Sequence, residues 1–214
     1  MLFFSPIFCR INGCEASAQF FRGIGITGGV TLAKEKWFFF MPDSSISTQK
    51  KKNVFGLNGS LRLEFIDNDY MRWVTEFQIN QKGCKDKTDS ITFKNRINYL
   101  CWNNFLKFQY EIFDGFPYIL FGPRVEYLLT QNINSPAITN SFNKFNFSWS
   151  VGVGWEHIVY NYFKPIIEIH YNPDFNFIYA YETDMLKIYN CAWEIRIGLI
   201  YRPGRYKSCP AVLY

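Results

Sequence analysis

The chain has 214 residues, a net charge of +5, and 20% aromatic against 19% charged residues, with a mean hydropathy of −0.12. That length suits one domain or a single closed barrel, and no apolar run reaches the roughly 18 residues of a membrane-spanning helix, so a helical membrane protein is excluded. The basic residues are scattered apart from Lys50, Lys51 and Lys52, which excludes a nucleic-acid stripe; six cysteines without a C-x-x-C pair and only two histidines leave no zinc or haem spacing, and no cofactor is expected.

The opening "MLFFSPIFCRINGCEASAQFF" is apolar and leads to Ala16-Ser17-Ala18, a small-x-small cleavage site with Gln19 behind it. Residues 1–18 are therefore expected to be an export signal, 19–202 the folded domain and 203–214 a periplasmic tail. Two other readings stand beside this one: acylation at Cys14, and an N-terminal strand of the mature fold.

Turn-rich segments divide the rest into eight extended stretches, near 20–33, 53–66, 70–82, 91–110, 117–129, 144–158, 163–171 and 187–202. Each is close to the ~9–11 residues of a membrane-crossing strand, or somewhat longer. In "VFGLNGSLRLEF", Phe55, Leu57, Leu61, Leu63 and Phe65 share one side, and Asn58, Ser60, Arg62 and Glu64 the other. "MRWVTEFQIN" sets Trp73, Thr75, Phe77 and Ile79 against Arg72, Val74, Glu76 and Gln78. "FNFSWSVGVGWE" alternates without a break, and "YNCAWEIRIGLIY" sets Trp193, Ile195, Ile197 and Leu199 against Glu194, Arg196 and Gly198.

The polar faces together carry Arg62, Glu64, Arg72, Glu76, Arg124, Glu126, Glu156, Glu168, Glu194 and Arg196. They are mixed in sign, short in lysine and supplied with Gly and Ser. That suits a cramped interior in which Arg and Glu pair, with the apolar faces turned to lipid. On this reading Cys101 and Cys191 fall on lipid-facing sides. Connections near 67–69, 111–116 and 159–162 are short, and those at 34–52, 83–90, 130–143 and 172–186 are long, the alternation of outer-membrane barrels. Trp37, Tyr70, Tyr110, Tyr127, Tyr160, Tyr171 and Tyr201 are placed for interfacial girdles. The expected fold is an all-β, eight-stranded, antiparallel up-and-down transmembrane β-barrel.

"GIGITGGV", "EFQINQKG", "INYLCWNNFLKFQY", "PYILFGPRVEYLL", "WSVGVGWEH", "IIEIHYNPDF" and "NCAWEIRIGLIYR" together resemble the PorT-type outer-membrane β-barrel family of the Bacteroidetes, over roughly residues 20–202. The chain departs from that pattern at Cys101-Trp102-Asn103, where relatives carry a Glu-x-Pro element, and in its continuation beyond Tyr201. The resemblance implies residence in the outer membrane and, for some members, a part in type IX protein secretion; it implies no activity.

An eight-stranded barrel is just wide enough to be filled by side chains, so a scaffold or assembly accessory is the first expectation. Its expected partners are outer-membrane lipid and other envelope or secretion proteins, with no nucleic acid. Lys50, Lys51 and Lys52 are expected either in a solvated loop or beside lipid phosphates or a partner's acidic surface. One rival is a lipid-modifying enzyme, which needs a nucleophile beside His157 or His170; His170, next to Glu168, reads as a satisfied interior histidine. The other rival is an exported, soluble ligand-binding barrel.

Overall fold

The computed structural model describes residues 9–11, 14–16, 21–40, 46–66, 68, 70–88, 91–113, 115–133, 142–157, 162–180 and 186–203. The cleavage site at Ala18-Gln19, Tyr160 and the tail from residue 204 lie outside them, and so does the side chain of Lys50.

Eight long strands make the wall: β1 (Phe21–Phe40), β2 (Lys52–Phe65), β3 (Met71–Thr88), β4 (Ile91–Gln109), β5 (Gly115–Asn132), β6 (Phe145–His157), β7 (Phe163–Pro173) and β8 (Leu186–Tyr201). Each pairs antiparallel with its sequence neighbour, and β8 pairs with β1 from Leu186↔Phe39 to Tyr201↔Ile24, which closes the ring. Closure leaves the wall no free edge, as spanning a bilayer requires. Two short strands extend it: Ile46–Lys50 returns along β1, and Tyr179–Ala180 lies along β8. Cys9–Ile11 and Cys14–Ala16 form a separate antiparallel pair.

The register sets the stagger. From Gly25 it passes through Arg62, Glu76, Asn103, Arg124, Ser148 and Asp174 to Asn190, and returns to β1 at Glu35, ten residues beyond its start. Such a shear tilts the strands strongly, within the roughly 35–45° usual for barrels.

Alternation along each strand separates two environments. Outward side chains such as Phe55, Leu57, Ile79, Phe147, Val151, Trp193 and Ile197 are exposed, Leu57 by 71% and Ile197 by 66%. A band of this kind round a whole barrel is far larger than the apolar patches soluble monomers tolerate. The inward positions are buried and mostly polar, with Val74, Phe105 and Leu120 packed among them.

Towards the long-loop end the polarity inverts while the alternation continues. On β1 the outward series Ile26, Val30, Leu32 passes to Lys34 and Lys36, and the inward series Thr27, Thr31 passes to Ala33 and Trp37. On β8, outward Ile197, Ile195 and Trp193 give way to Cys191, Tyr189 and Lys187, and inward Arg196 and Glu194 give way to Ile188 and Leu186. On β4, outward Leu106, Trp102 and Leu100 give way to Asn98 and Arg96. Beyond this level Trp37, Ile188 and Leu186 line the inside beside Glu35 and Asn190, while lysines stand outside among Phe38, Tyr189 and Phe40. The inversion marks the boundary between lipid and water.

Four sequence expectations are corrected here. Most of 34–52 is strand, since β1 runs to Phe40 and Ile46–Lys50 pairs back onto it. The stretch 83–90 is not a long loop: β3 reaches Thr88 and β4 begins at Ile91. Both errors arise because the inversion hides strands from a search for apolar outward faces. Trp37 belongs to no girdle; it is fully buried inside the ring. Cys101 also points inward, with its sulfur 3.1 Å from Arg124 Nη2. Tyr70, Tyr110 and Tyr201 are exposed at the short-turn rim, where Tyr162 joins them.

Candidate functional site

The lumen is where sequence and fold concentrate chemistry. Among the described residues, eight cationic side chains (Arg22, Arg62, Arg72, Lys82, Lys107, Arg124, Arg196, Arg202) and eight anionic ones (Glu35, Glu64, Glu76, Glu126, Glu156, Glu168, Asp174, Glu194) are buried. The charges balance. All ten charged residues singled out in the sequence stand in this set.

Their contacts run through the barrel without a gap. Next to the short turns, Arg202 Nη2 lies 2.7 Å from Glu64 Oε2, and Arg202 also meets Glu156. Lys107 Nζ is 2.8 Å from Glu156 Oε2, and Arg72 is 3.9 Å from both glutamates. Arg62 links this group to the middle of the lumen, with Nε 3.2 Å from Glu64 Oε1 and Nη1 2.5 Å from Glu168 Oε1. Glu168 also accepts from Tyr118 at 2.7 Å and lies 3.3 Å from Arg196, which reaches Glu76 at 2.9 Å. Higher up, Glu194 accepts from Arg124 at 3.0 Å and from the amides of Gln78, Asn80 and Asn172 at 2.8 Å each. Arg124 Nε bonds Glu126 at 2.6 Å, and Lys82 bridges Glu126 at 2.8 Å and Asp174 at 3.4 Å. Charge-assisted guanidinium– and ammonium–carboxylate contacts of this kind offset the cost of holding charges in a low-dielectric interior, and Arg202 meets Glu156 with two nitrogens.

The glycines of "FNFSWSVGVGWE" make room for large neighbours. A Cβ at Gly154 would lie 2.4 Å from the Tyr118 ring, and one at Gly152 would lie 2.8 Å from His170. Small residues on β6 thus admit the two side chains that flank Glu168.

His170 illustrates how fully this chemistry is engaged. Its Nδ1 is 3.2 Å from Ser150 Oγ and its Nε2 is 3.0 Å from Glu168 Oε2, with Arg196 also on Nε2. Serine, histidine and glutamate stand in line, but Ser150 and Glu168 occupy the ring nitrogens opposite to those of a hydrolase triad. Arg196 crowds the same nitrogen, and all four side chains are buried. His157 is exposed at the end of β6, away from this group. No cluster of three or more His, Cys, Asp or Glu able to hold a metal occurs among the described residues.

An apolar stopper closes the lumen at the long-loop end. Trp37, Cys84, Ile97, Tyr99, Ile188 and Leu186 from the wall pack with Phe142, Ile178 and Tyr179 from the segments beyond β5 and β7. Those segments are tied to each other: Asn143 N donates to Ile178 O at 2.8 Å, Asn143 Nδ2 to Phe177 O at 2.9 Å, and the Phe142 and Tyr179 rings pack at a tilt of 58° with centroids 5.5 Å apart. Lys51 covers the stopper, its Nζ 4.3 Å from the Trp37 ring, whereas Lys52 is exposed at the start of β2 and Lys50 ends the strand paired with β1.

Sequence reading missed Glu35, Lys82, Lys107, Asp174, Arg22 and Arg202. Glu35 and Lys82 lie in segments read as loop or at a strand's end. Lys107 sits on β4, where "INYLCWNNFLKFQY" offers apolar residues to both faces. Asp174 and Arg202 follow the last residues of β7 and β8, and a strictly continued alternation would have found them.

A closed ring with a lipid-facing apolar band, short turns at one end and a charged interior narrows the fold to one class. Residues 12–198 match the family model described as Outer membrane protein beta-barrel domain. The chain belongs to that family. No curated protein gives a significant match. Among solved structures, the outer membrane protein OprG from Pseudomonas aeruginosa aligns with 87% of this chain and 99% of its own at 11% identity, TM-score 0.53. Neisserial surface protein A (NspA) aligns with 84% of this chain and 97% of its own at 11% identity, TM-score 0.51. AlkL, an outer membrane protein solved in lipid bilayers, aligns with 94% of this chain and 100% of its own at 11% identity, TM-score 0.52. At such identity the likeness carries the fold. The protein is an outer-membrane β-barrel.

Proposed function

We propose that this barrel is a membrane-anchored scaffold in envelope or secretion assembly rather than a pore or an enzyme. The observation that carries the reading is the balanced burial of eight cations and eight anions, at least seven of each joined in one network of ion pairs, under an apolar stopper. A lumen so filled offers no continuous aqueous path and no charge bias towards either sign of solute. The surfaces left for partners are the two rims, and the chain beyond β8 is anchored for that purpose: Arg22 Nη1 donates to Pro203 O at 3.2 Å, and Arg202 N to Tyr162 O at 2.8 Å. Residues 1–18 act in this reading as the export signal and 203–214 as a periplasmic tail. The PorT-type resemblance makes type IX secretion the assembly to examine first.

The test is capture of the tagged protein from its own outer membrane in mild detergent after brief cross-linking. The reading expects an envelope or secretion protein in stoichiometric amount, lost when the tail from Pro203 is removed from a barrel that still folds. Recovery of the barrel alone with and without cross-linker contradicts it. The enzyme alternative, favoured only by the Ser150–His170–Glu168 alignment, is tested by a serine-directed fluorophosphonate, which should leave Ser150 unlabelled.

A further inference from the structure

We infer that the lumen holds a divalent cation of calcium's size just beneath the stopper, on oxygens of Asn146, Ser148, Asn172, Asp174 and Asn190. The inference goes beyond the scaffold reading and does not depend on it.

Three strands bring these side chains together. The bridge Ser148↔Asp174 and the bond from Asp174 N to Asn190 O, 3.1 Å long, set Ser148 of β6, Asp174 just after β7 and Asn190 of β8 abreast in one inward row. Asn146 stands two residues before Ser148 on β6, and Asn172 two residues before Asp174 on β7, each on the same inward face. Neighbours across a strand pair on one face have Cβ atoms about 4.5–5.5 Å apart, a spacing from which side chains can converge on one ion. The Asn146 amide also lies against the Asp174 carboxyl, which draws two of the strands to one spot. All five residues are buried; Asp174, the most open, is 9% exposed.

Each of them brings an oxygen that no other group uses. Asn146 Oδ1, Ser148 Oγ, Asn172 Oδ1, Asp174 Oδ2 and Asn190 Oδ1 accept no hydrogen bond. Asn146 Nδ2 donates to Glu126 at 3.4 Å and Asn172 Nδ2 to Glu194 at 2.8 Å, so both amide nitrogens are engaged and their oxygens are left over. Lys82 takes Asp174 Oδ1 at 3.4 Å, and Oδ2 remains. Burying an acceptor without a partner is unfavourable. Here five such acceptors stand side by side with one orphaned nitrogen, Asn190 Nδ2. One cation, with water completing its shell, meets that imbalance.

The charges at this level have the same sign of need. Glu126, Asp174 and Glu194 face Lys82 and Arg124, three carboxylates to two cations. Arg196 reaches Glu194 only at 3.9 Å, from a closer contact with Glu76 at 2.9 Å. The donor set is carboxylate, amide and hydroxyl oxygen without histidine or cysteine, which suits a hard ion rather than a transition metal. Calcium accepts roughly six to eight such oxygens in flexible geometry, whereas magnesium keeps most of its own water.

In the experiment the full chain is refolded from urea into detergent micelles with calcium present and desalted into chelator-treated buffer, and its calcium is counted by elemental analysis. The stopper covers this end of the lumen, so the ion enters during folding, and the parent should retain about one per barrel. Asp174→Asn should lower retention at least about tenfold, because the affinity of such sites follows ligand charge. Ser148→Ala with Asn190→Ala removes two oxygens and no charge, and should lower it by about as much. Unchanged heat-modifiability on gels shows that a variant is folded; if Asp174→Asn does not fold, the neutral double variant decides. Glu111→Gln, an exposed acid in the short turn after β4, is the control and should retain the ion. A refolded parent without calcium overturns the site and leaves its oxygens to water. Parental retention in both variants overturns it too, by moving the ion elsewhere. A loss in Glu111→Gln as large as in Asp174→Asn reduces the binding to surface charge and likewise overturns it.

Discussion

Leu32 and Lys34 stand two residues apart on one outward face of β1; Leu32 faces Trp193 across the β8 seam, and Lys34 faces Cys191 one step higher. Between them the barrel leaves the lipid. The same crossing between Trp193 and Tyr189 on β8 gives a test on a single strand. Ile197→Arg, well inside the band, should cost roughly 2–4 kcal/mol, and Tyr189→Arg, above it, less than about 1 kcal/mol. Urea unfolding in lipid vesicles measures both, and equal costs would remove the boundary.

Within the lumen, Glu168 collects Arg62, Arg196, Tyr118 and His170. Glu168→Ala leaves buried guanidinium groups without their shared anion and should destabilise the barrel by about 3–5 kcal/mol. Removing charge from both sides, as in Arg62→Met with Glu168→Gln, should cost less than the two single changes added together. Additive losses would show that the pair does not act as a unit.

The polar lumen was legible in the sequence because arginine and glutamate alternate there with strongly apolar residues, as in Arg62 and Glu64 among Leu61, Leu63 and Phe65. The strand ends were not. At Lys34-Glu35-Lys36-Trp37 the alternation persists, but its meaning reverses: the charged lysines face out and tryptophan faces in. A reader following apolar residues to the lipid side stops at Ala33. Cys101 was misplaced for a related reason, because β4 carries Ile97, Tyr99 and Phe105 inward and Leu100, Trp102 and Leu106 outward, leaving polarity unable to choose a face. The partners of Arg202 were invisible, since its contacts with Glu64 and Glu156 join residues 138 and 46 apart in sequence.

Trp37 is the largest wall residue in the stopper. Trp37→Ala should cost about 3–5 kcal/mol, and it should also open the outer mouth. Cys84 lies within the same cluster, so a water-soluble maleimide should label Cys84 in folded Trp37→Ala at least tenfold faster than in the parent, with the remaining cysteines replaced by serine. Equal rates would show that the stopper does not seal.

Topology has its own check. Asn68 lies in the short turn between β2 and β3, and Thr48 on the strand paired with the far end of β1. An impermeant maleimide added to intact cells should label Thr48→Cys, and should reach Asn68→Cys only after the outer membrane is permeabilised. The opposite pattern would invert the barrel.

Eight buried cations and eight buried anions, most of them joined in one network of ion pairs beneath an apolar stopper, should leave no path through the barrel. Single-channel recording in planar bilayers tests it directly. The parent protein should give no steady conductance at either polarity, while Trp37→Ala combined with Arg124→Ala and Glu194→Ala, if inserted, should give discrete openings. Steady, porin-like conductance from the parent would contradict the account.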